Sequence, residues 1–202
     1  MSYKVYYFDA YGRAEAIRMM FIHAKVEFED IRLTREQFAE LKAAGKFEFG
    51  QVPAIETPEG KVLVQSGAIN RYVGTKLGYL PSDPLAAYEV DNLCDAINDM
   101  YMKLFQSYFG PSEEAKAAAY KAFVETSLPF FLGKFEARLA GQKYFGGENP
   151  NVFDFCFGGF LQQPNVPKFQ DVVDKFPGIK AHQDNWALVF ADHLASRPKC
   201  NM

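Results

Sequence analysis

Residues 50–74 read GQVPAIETPEGKVLVQSGAINRYVG, and this stretch decides the fold. Two short apolar runs, VPAIET and KVLV, flank Pro58-Glu59-Gly60, whose proline and glycine suit a tight reversal. They are expected to pair as a β-hairpin. Ser66 then precedes GAINRYVGTKLG, a helix ending near Gly74 or Gly78. Upstream, YKVYYF (3–8) is aromatic and β-branched and predicts a first strand. Gly12 breaks the chain, and RAEAIRMMFIHA sets Ile17, Met20, Phe21 and Ala24 on one helical face. VEFEDIRL (26–33) predicts a second strand. TREQFAELKAAG follows as a helix, with Thr34 and Gln37 spaced to cap each other's backbone N–H. The N-terminal part therefore reads βαβαββα, over residues 1–78.

Downstream, Gly78-Tyr79-Leu80-Pro81-Ser82-Asp83-Pro84 concentrates breakers and marks a linker at 79–83. From residue 84 to 202 the pattern is helical. Leu85, Tyr88, Leu93, Ile97, Tyr101, Leu104 and Phe105 recur at three- and four-residue steps, and further helical segments run through 112–140, 151–161, 166–175 and 178–194. Asn151-x-x-Asp154 is a capping pair opening one of them, with a role in folding. The fold class is thus α/β followed by an all-α domain.

Composition limits the partners. Hydrophobic residues make up 49% of the 202, enough for one large or two small cores, and a net charge of −3 without a basic stripe predicts no nucleic-acid or membrane partner. The first residues, MSYKVYYFDAYGRAEAIRMMF, lack the pattern of a secretory signal, and the expectation is a cytoplasmic protein. Cys94, Cys156 and Cys200 are odd in number and far apart in sequence, so a disulfide framework is not expected. His23, His182 and His193 lack ligand spacing, and no metal is expected.

The segments YFDAYGRAE (7–15), GQVPAIE (50–56) and VLVQSGAINRYVG (62–74) occur in the order and spacing of cytosolic glutathione transferases, which the chain resembles, the sigma class most closely. The helical half adds V-D-x-x-x-D-A-I-N-D (90–99) and R-P-K (197–199). The resemblance implies a thioredoxin-like domain before an all-helical one, glutathione as co-substrate, a homodimer, and a detoxifying transfer of glutathione to apolar electrophiles. Glutathione's thiol has a reference pKa of about 8.5, and lowering it by about two units takes roughly 3 kcal/mol, the scale of one charge-assisted hydrogen bond. A tyrosine hydroxyl, protonated at neutral pH, is a suitable donor. The resemblance places that role on Tyr7, supported by Arg13, while Tyr6 points to the opposite face.

It further implies that Val52 and the cis-prolyl Pro53 pair with the peptide as an added strand, with Phe8 and Phe38 nearby. Gln65 and Ser66 would receive the γ-glutamyl carboxylate at a serine-capped helix start, although the same sequence serves equally as a plain cap. The glycyl carboxylate would meet Lys42 or Lys46. The chain departs from the sigma pattern in carrying Phe38 for a tryptophan and Gln51 for a basic residue. Asp99 matches an acidic residue that reaches glutathione from a partner subunit. Ala10, Gly12, Tyr101 and Phe105 are expected to border the electrophile pocket. A glutathione-dependent prostaglandin isomerase or peroxidase, and a ligand carrier or crystallin-like protein, are the alternatives within this fold.

Overall fold

A computed structural model of the chain describes residues 2–200. The first domain runs β1 (Tyr3–Phe8), α1 (Glu15–His23), β2 (Phe28–Leu33), α2 (Arg35–Ala43), β3 (Ala54–Glu56), β4 (Val62–Val64) and α3 (Ser66–Leu77), the expected βαβαββα order. Its sheet has strand order β2-β1-β3-β4, with β1 parallel to β2 and antiparallel to β3. Alternation along β1 sends Val5 and Tyr7 into the large core, and Tyr6 into a smaller one with Leu33, Phe47 and Ala54. Thr34 and Gln37 form the predicted reciprocal cap of α2.

Two boundaries and the burial of one helix differ from the sequence reading. The chain after Gly12 first makes a tight 3-10 turn over Gly12–Ala14, and α1 starts only at Glu15. Glu15 to Phe21 are all buried, because α1 packs on α3 and, through Phe21 against Tyr3 and Phe28, on the sheet, while the helix Val152–Leu161 of the helical domain covers it from the other side. A single apolar face was too small an expectation. Finally, β2 starts at Phe28 rather than 26, since Lys25 turns the chain at φ 56° and the Val26 amide is spent on the Phe21 carbonyl.

The second domain comprises α4 (Pro84–Phe109), α5 (Glu113–Ala122), α6 (Leu128–Leu139), α7 (Val152–Leu161), α8 (Gln170–Val173), α9 (Pro177–Val189) and α10 (Ala191–Ser196). Among the described residues no helix is long and apolar enough to cross a membrane. The segment 112–140 is interrupted by a π-helical turn at Phe123–Ser127. Pro129 explains it: a proline cannot donate to the carbonyl four residues back, and its ring crowds that group unless the turn widens. The segment 166–175 begins as a 3-10 turn at Val166–Phe169, and 178–194 divides at Phe190 into α9 and α10.

Every residue of α7 is buried, and it packs on α1 from the helical side. Asn151 and Asp154 make the predicted cap, but Asp154 does more than start the helix. Fully buried, it also accepts from the Phe145 amide at 2.9 Å and lies 2.9 Å from His182 Nε2 on α9. Removing it strands several buried donors at once, and each costs about 1–3 kcal/mol. Asp154→Ala is therefore expected to lower unfolding stability by about 3 kcal/mol or more, read as an earlier urea midpoint. A midpoint within experimental scatter of the native one would refute this role.

Candidate active site

The loop between β1 and α1 is built around one close approach. Gly12 has φ +46°, and a Cβ added there would sit 2.6 Å from the Tyr7 hydroxyl oxygen and 2.8 Å from its ring. Only glycine lets the phenol lie beneath the loop in this way. The Gly12 amide is held from the other domain, donating to Gln163 Oε1 at 3.0 Å. Burial raises the Tyr7 pKa, opposed by the Arg13 backbone amide and by the charges of Arg13 and Arg18. The net shift is upward, so the phenol keeps its proton at neutral pH and acts as a donor.

Arg13 leaves the same loop toward α4, with its guanidinium carbon 5.2 Å from the Phe105 ring centre and Nη2 3.3 Å from Met102 Sδ. It borders a cleft of about 220 Å³. Phe8 and Phe38 form one wall, edge to face at 5.0 Å. Gln51, Val52 and Pro53 form the rim, and Gln65 with Ser66 the opposite side. The Val52–Pro53 bond is cis, as the resemblance implied. β3 starts at Ala54, and the Val52 backbone makes no hydrogen bond among the described residues, which leaves it open to an added strand.

The opposite side needs a correction. Ser66 is not the cap of α3 but its first helical residue, because Gln65 turns the chain sharply at φ 72°, ψ 106°. No side chain caps this helix start, so its first amides stay free for an anion. Gln65 Nε2 reaches Gln51 Oε1 at 3.3 Å, joining the two sides.

The two lysines differ in their surroundings. Lys46 Nζ lies 2.8 Å from Glu56 and 4.7 Å from the Tyr6 ring centre, below the sheet. Its hydrogen bond, with that of Tyr6, pulls the Glu56 pKa down to about 2. Lys42 instead lies along Gly50, where an added Cβ would sit 2.7 Å from its Cε. Gly50 in turn lines the cleft. Ala10 serves through its carbonyl, which accepts from Arg18 at 3.0 Å. Tyr101 is 6% exposed and packs edge to face on Phe160 at 5.2 Å, so it belongs to the core and touches only a small cavity behind Arg13. Phe105 is the aromatic that faces Arg13. Asp99 is exposed on α4 and does not line its own chain's cleft.

Sequence reasoning missed what holds the loop. Arg18, 1% exposed, donates to the carbonyls of Ala10 and Tyr11, to Glu15 at 3.2 Å and to Asp30 at 2.9 Å. Glu15, with no exposed surface, also meets His193 at 2.9 Å and Arg197 at 2.7 Å. The signal was present as a charged pair three residues apart in an otherwise apolar helix. Tyr11 is covered by this group, since the Arg197 guanidinium lies 3.7 Å from its ring centre and its hydroxyl donates to the Pro198 carbonyl.

Comparison with known proteins identifies the family. The family described as Glutathione S-transferase, N-terminal domain, matches residues 3–75, and Glutathione S-transferase, C-terminal domain, matches residues 98–188. Glutathione S-transferase 1 of Ascaris suum is 37% identical over 220 residues, with 98% of each chain covered. The structure of prostaglandin synthase D of Nilaparvata lugens superposes with a TM-score of 0.87 at 29% identity, covering 98% of this chain and 100% of that one. A monomeric glutathione S-transferase of the hookworm Necator americanus also gives 0.87, at 28% identity with both chains wholly covered. The fold is a thioredoxin-like domain followed by an all-helical one, the architecture of glutathione-dependent transferases. The chain belongs to the glutathione S-transferase family, with glutathione as its co-substrate.

Two outcomes follow from the loop. Gly12→Ala is expected to lower conjugation activity by about tenfold or more with folding retained, because the new methyl displaces the Tyr7 hydroxyl. Unchanged activity in a folded variant would contradict it. Burial alone would raise the Glu15 pKa, but His193, Arg18 and Arg197 bring it from 4.5 to about 2. A depressed carboxylate contributes stability above its unfolded pKa and loses it as pH falls through the folded one. Stability on the order of 3 kcal/mol should therefore vanish between pH 4.5 and about 2, and Glu15→Gln should flatten that part of the unfolding profile.

Proposed function

We propose that this chain conjugates glutathione to apolar electrophiles, with the thiolate held by the Tyr7 hydroxyl and supported by Arg13. The observation that carries this reading is the Tyr7 phenol, protonated and fixed beneath Gly12 next to Arg13, the residue of this loop that borders the cleft. Val52 would pair with the cysteinyl unit, the free amides at Ser66 would take the γ-glutamyl carboxylate, and Lys42 the glycyl one. Phe8 and Phe38 would flank the peptide, and Phe105 would face the electrophile. A sigma-like enzyme of this kind would act in the cytoplasm in detoxification. We place Asp99 at the amino group of glutathione in a partner subunit, which makes the active form a homodimer.

One observation favours a second reading: a close structural relative is named a prostaglandin synthase. The same sulfur site would serve isomerisation of an endoperoxide, since both reactions begin with nucleophilic attack by the thiolate.

The test is conjugation of a general aryl halide by the native chain and by folded Tyr7→Phe. The variant should lose about 10²-fold in kcat, with the glutathione KM within about threefold of native. The acid limb of its kcat/KM profile should move up by about 1–2 pH units, because bound thiol ionises less readily. Equal rates and an unmoved profile would reject Tyr7. Product analysis with a prostaglandin endoperoxide separates the two activities.

A further inference from the structure

Cys94 and Cys156, 62 residues apart in sequence, come together on α4 and α7 behind the glutathione cleft. They line a cavity of about 20 Å³ together with Arg13, Ser66 and Asn70. A space of that size admits a molecule no larger than one or two waters. Asn70, 8% exposed, donates through Nδ2 to Cys156 Sγ at 3.2 Å, while its Oδ1 is buried without a partner among the described residues. Arg13 Nε is buried and unpartnered as well. One unmet acceptor and one unmet donor thus belong to side chains lining the cavity that holds the two sulfurs.

We propose that Cys94 and Cys156 form a peroxide-responsive dithiol, oxidised by hydrogen peroxide in this cavity to an intramolecular disulfide joining α4 to α7. Hydrogen peroxide matches the site in size and in being donor and acceptor at once. It can donate to Asn70 Oδ1 and accept from Arg13 Nε–H. Cys156 is the attacking sulfur, because the Asn70 amide already donates to it and would stabilise charge developing there. The neighbouring Cys156 thiol and burial raise the Cys94 pKa well above its ordinary value, so Cys94 waits as the protonated resolving thiol.

The step balances without a further reagent. Cys156, having released its proton, attacks one peroxide oxygen. The O–O bond breaks, Cys156 becomes a sulfenic acid, and the departing hydroxide takes up that proton as water. Cys94 then attacks the Cys156 sulfur. The S–O bond breaks, the S–S bond forms, and the hydroxyl leaves with the Cys94 proton as a second water. This chemistry is independent of the conjugation reading and stands or falls without it.

The test treats the reduced full chain with equimolar hydrogen peroxide, unfolds it in N-ethylmaleimide and weighs it. The three free cysteines should give three adducts before oxidation and one after, on Cys200. Peptide mapping should join the Cys94 and Cys156 peptides, and dithiothreitol should restore all three adducts. Folded Cys94→Ser should instead yield a dimedone-trapped sulfenic acid on Cys156; if it fails to fold, Cys94→Ala takes its place. Cumene hydroperoxide should oxidise the pair at least about tenfold more slowly than hydrogen peroxide, relative to their ratio with free cysteine, because it cannot enter so small a space. Three adducts persisting after peroxide, a bridge that includes Cys200 or a second chain, or equal relative rates with the bulky peroxide would overturn the proposal.

Discussion

The buried charge cluster of Arg18 and Glu15 is the constraint on which the rest depends. An arginine and a glutamate this deeply buried are tolerable only when most of their charge-bearing atoms find partners of opposite sign or a carbonyl. Of the Arg18 nitrogens, Nε and Nη1 are partnered among the described residues while Nη2 is not. Those partners come from three directions: the β1–α1 loop through Ala10 and Tyr11, the sheet through Asp30, and the C-terminal segment through His193 and Arg197. Satisfying the cluster therefore fixes the relative position of loop, sheet and tail. Arg13 inherits that fixity because it follows closely on the segment that Arg18 fastens, and Tyr7 of β1 lies beneath Gly12 of the same loop.

This arrangement explains how a flexible-looking loop can keep a fixed place over the phenol of β1. Positioning matters because electrostatic stabilisation of a developing anion depends on donors already in place. Gln163 adds a hold from the helical domain on the Gly12 amide. The cleft itself is supplied by the first domain, while Phe105 and Met102 beside Arg13 come from the second. On the proposed reading, binding of the peptide and contact with an apolar partner are divided between the two halves of the chain.

Much of this was legible in the sequence. Hydrophobic period and turn residues identified every strand of the first domain and the helical character of the second, because burial on one face leaves a periodic trace. The cleft residues followed from the resemblance, and Phe8, Phe38, Gln51, Val52, Pro53, Gln65 and Ser66 do converge. What stayed hidden depends on three-dimensional competition. The pairing of Lys46 with Glu56 leaves no trace in the local sequence, and neither does the packing of Tyr101 on Phe160. The misplaced cap at Ser66 shows the same limit: a backbone turn at Gln65 outranks a residue preference. The pairing of Cys94 with Cys156 joins two helices far apart in sequence, and no local pattern encodes it.

The burial of α1 on all sides has a consequence for how the two halves can exist. The helix carries Ile17, Met20 and Phe21 within one continuous apolar cluster that includes Phe155 and Phe160 of α7. Cut free at the linker, the first domain would show that greasy flank to water, and α7 would lose its cover. Each fragment would be prone to clump with its own kind. The two halves are therefore halves of one melting unit, and neither is a module that could be lent to another protein unaltered.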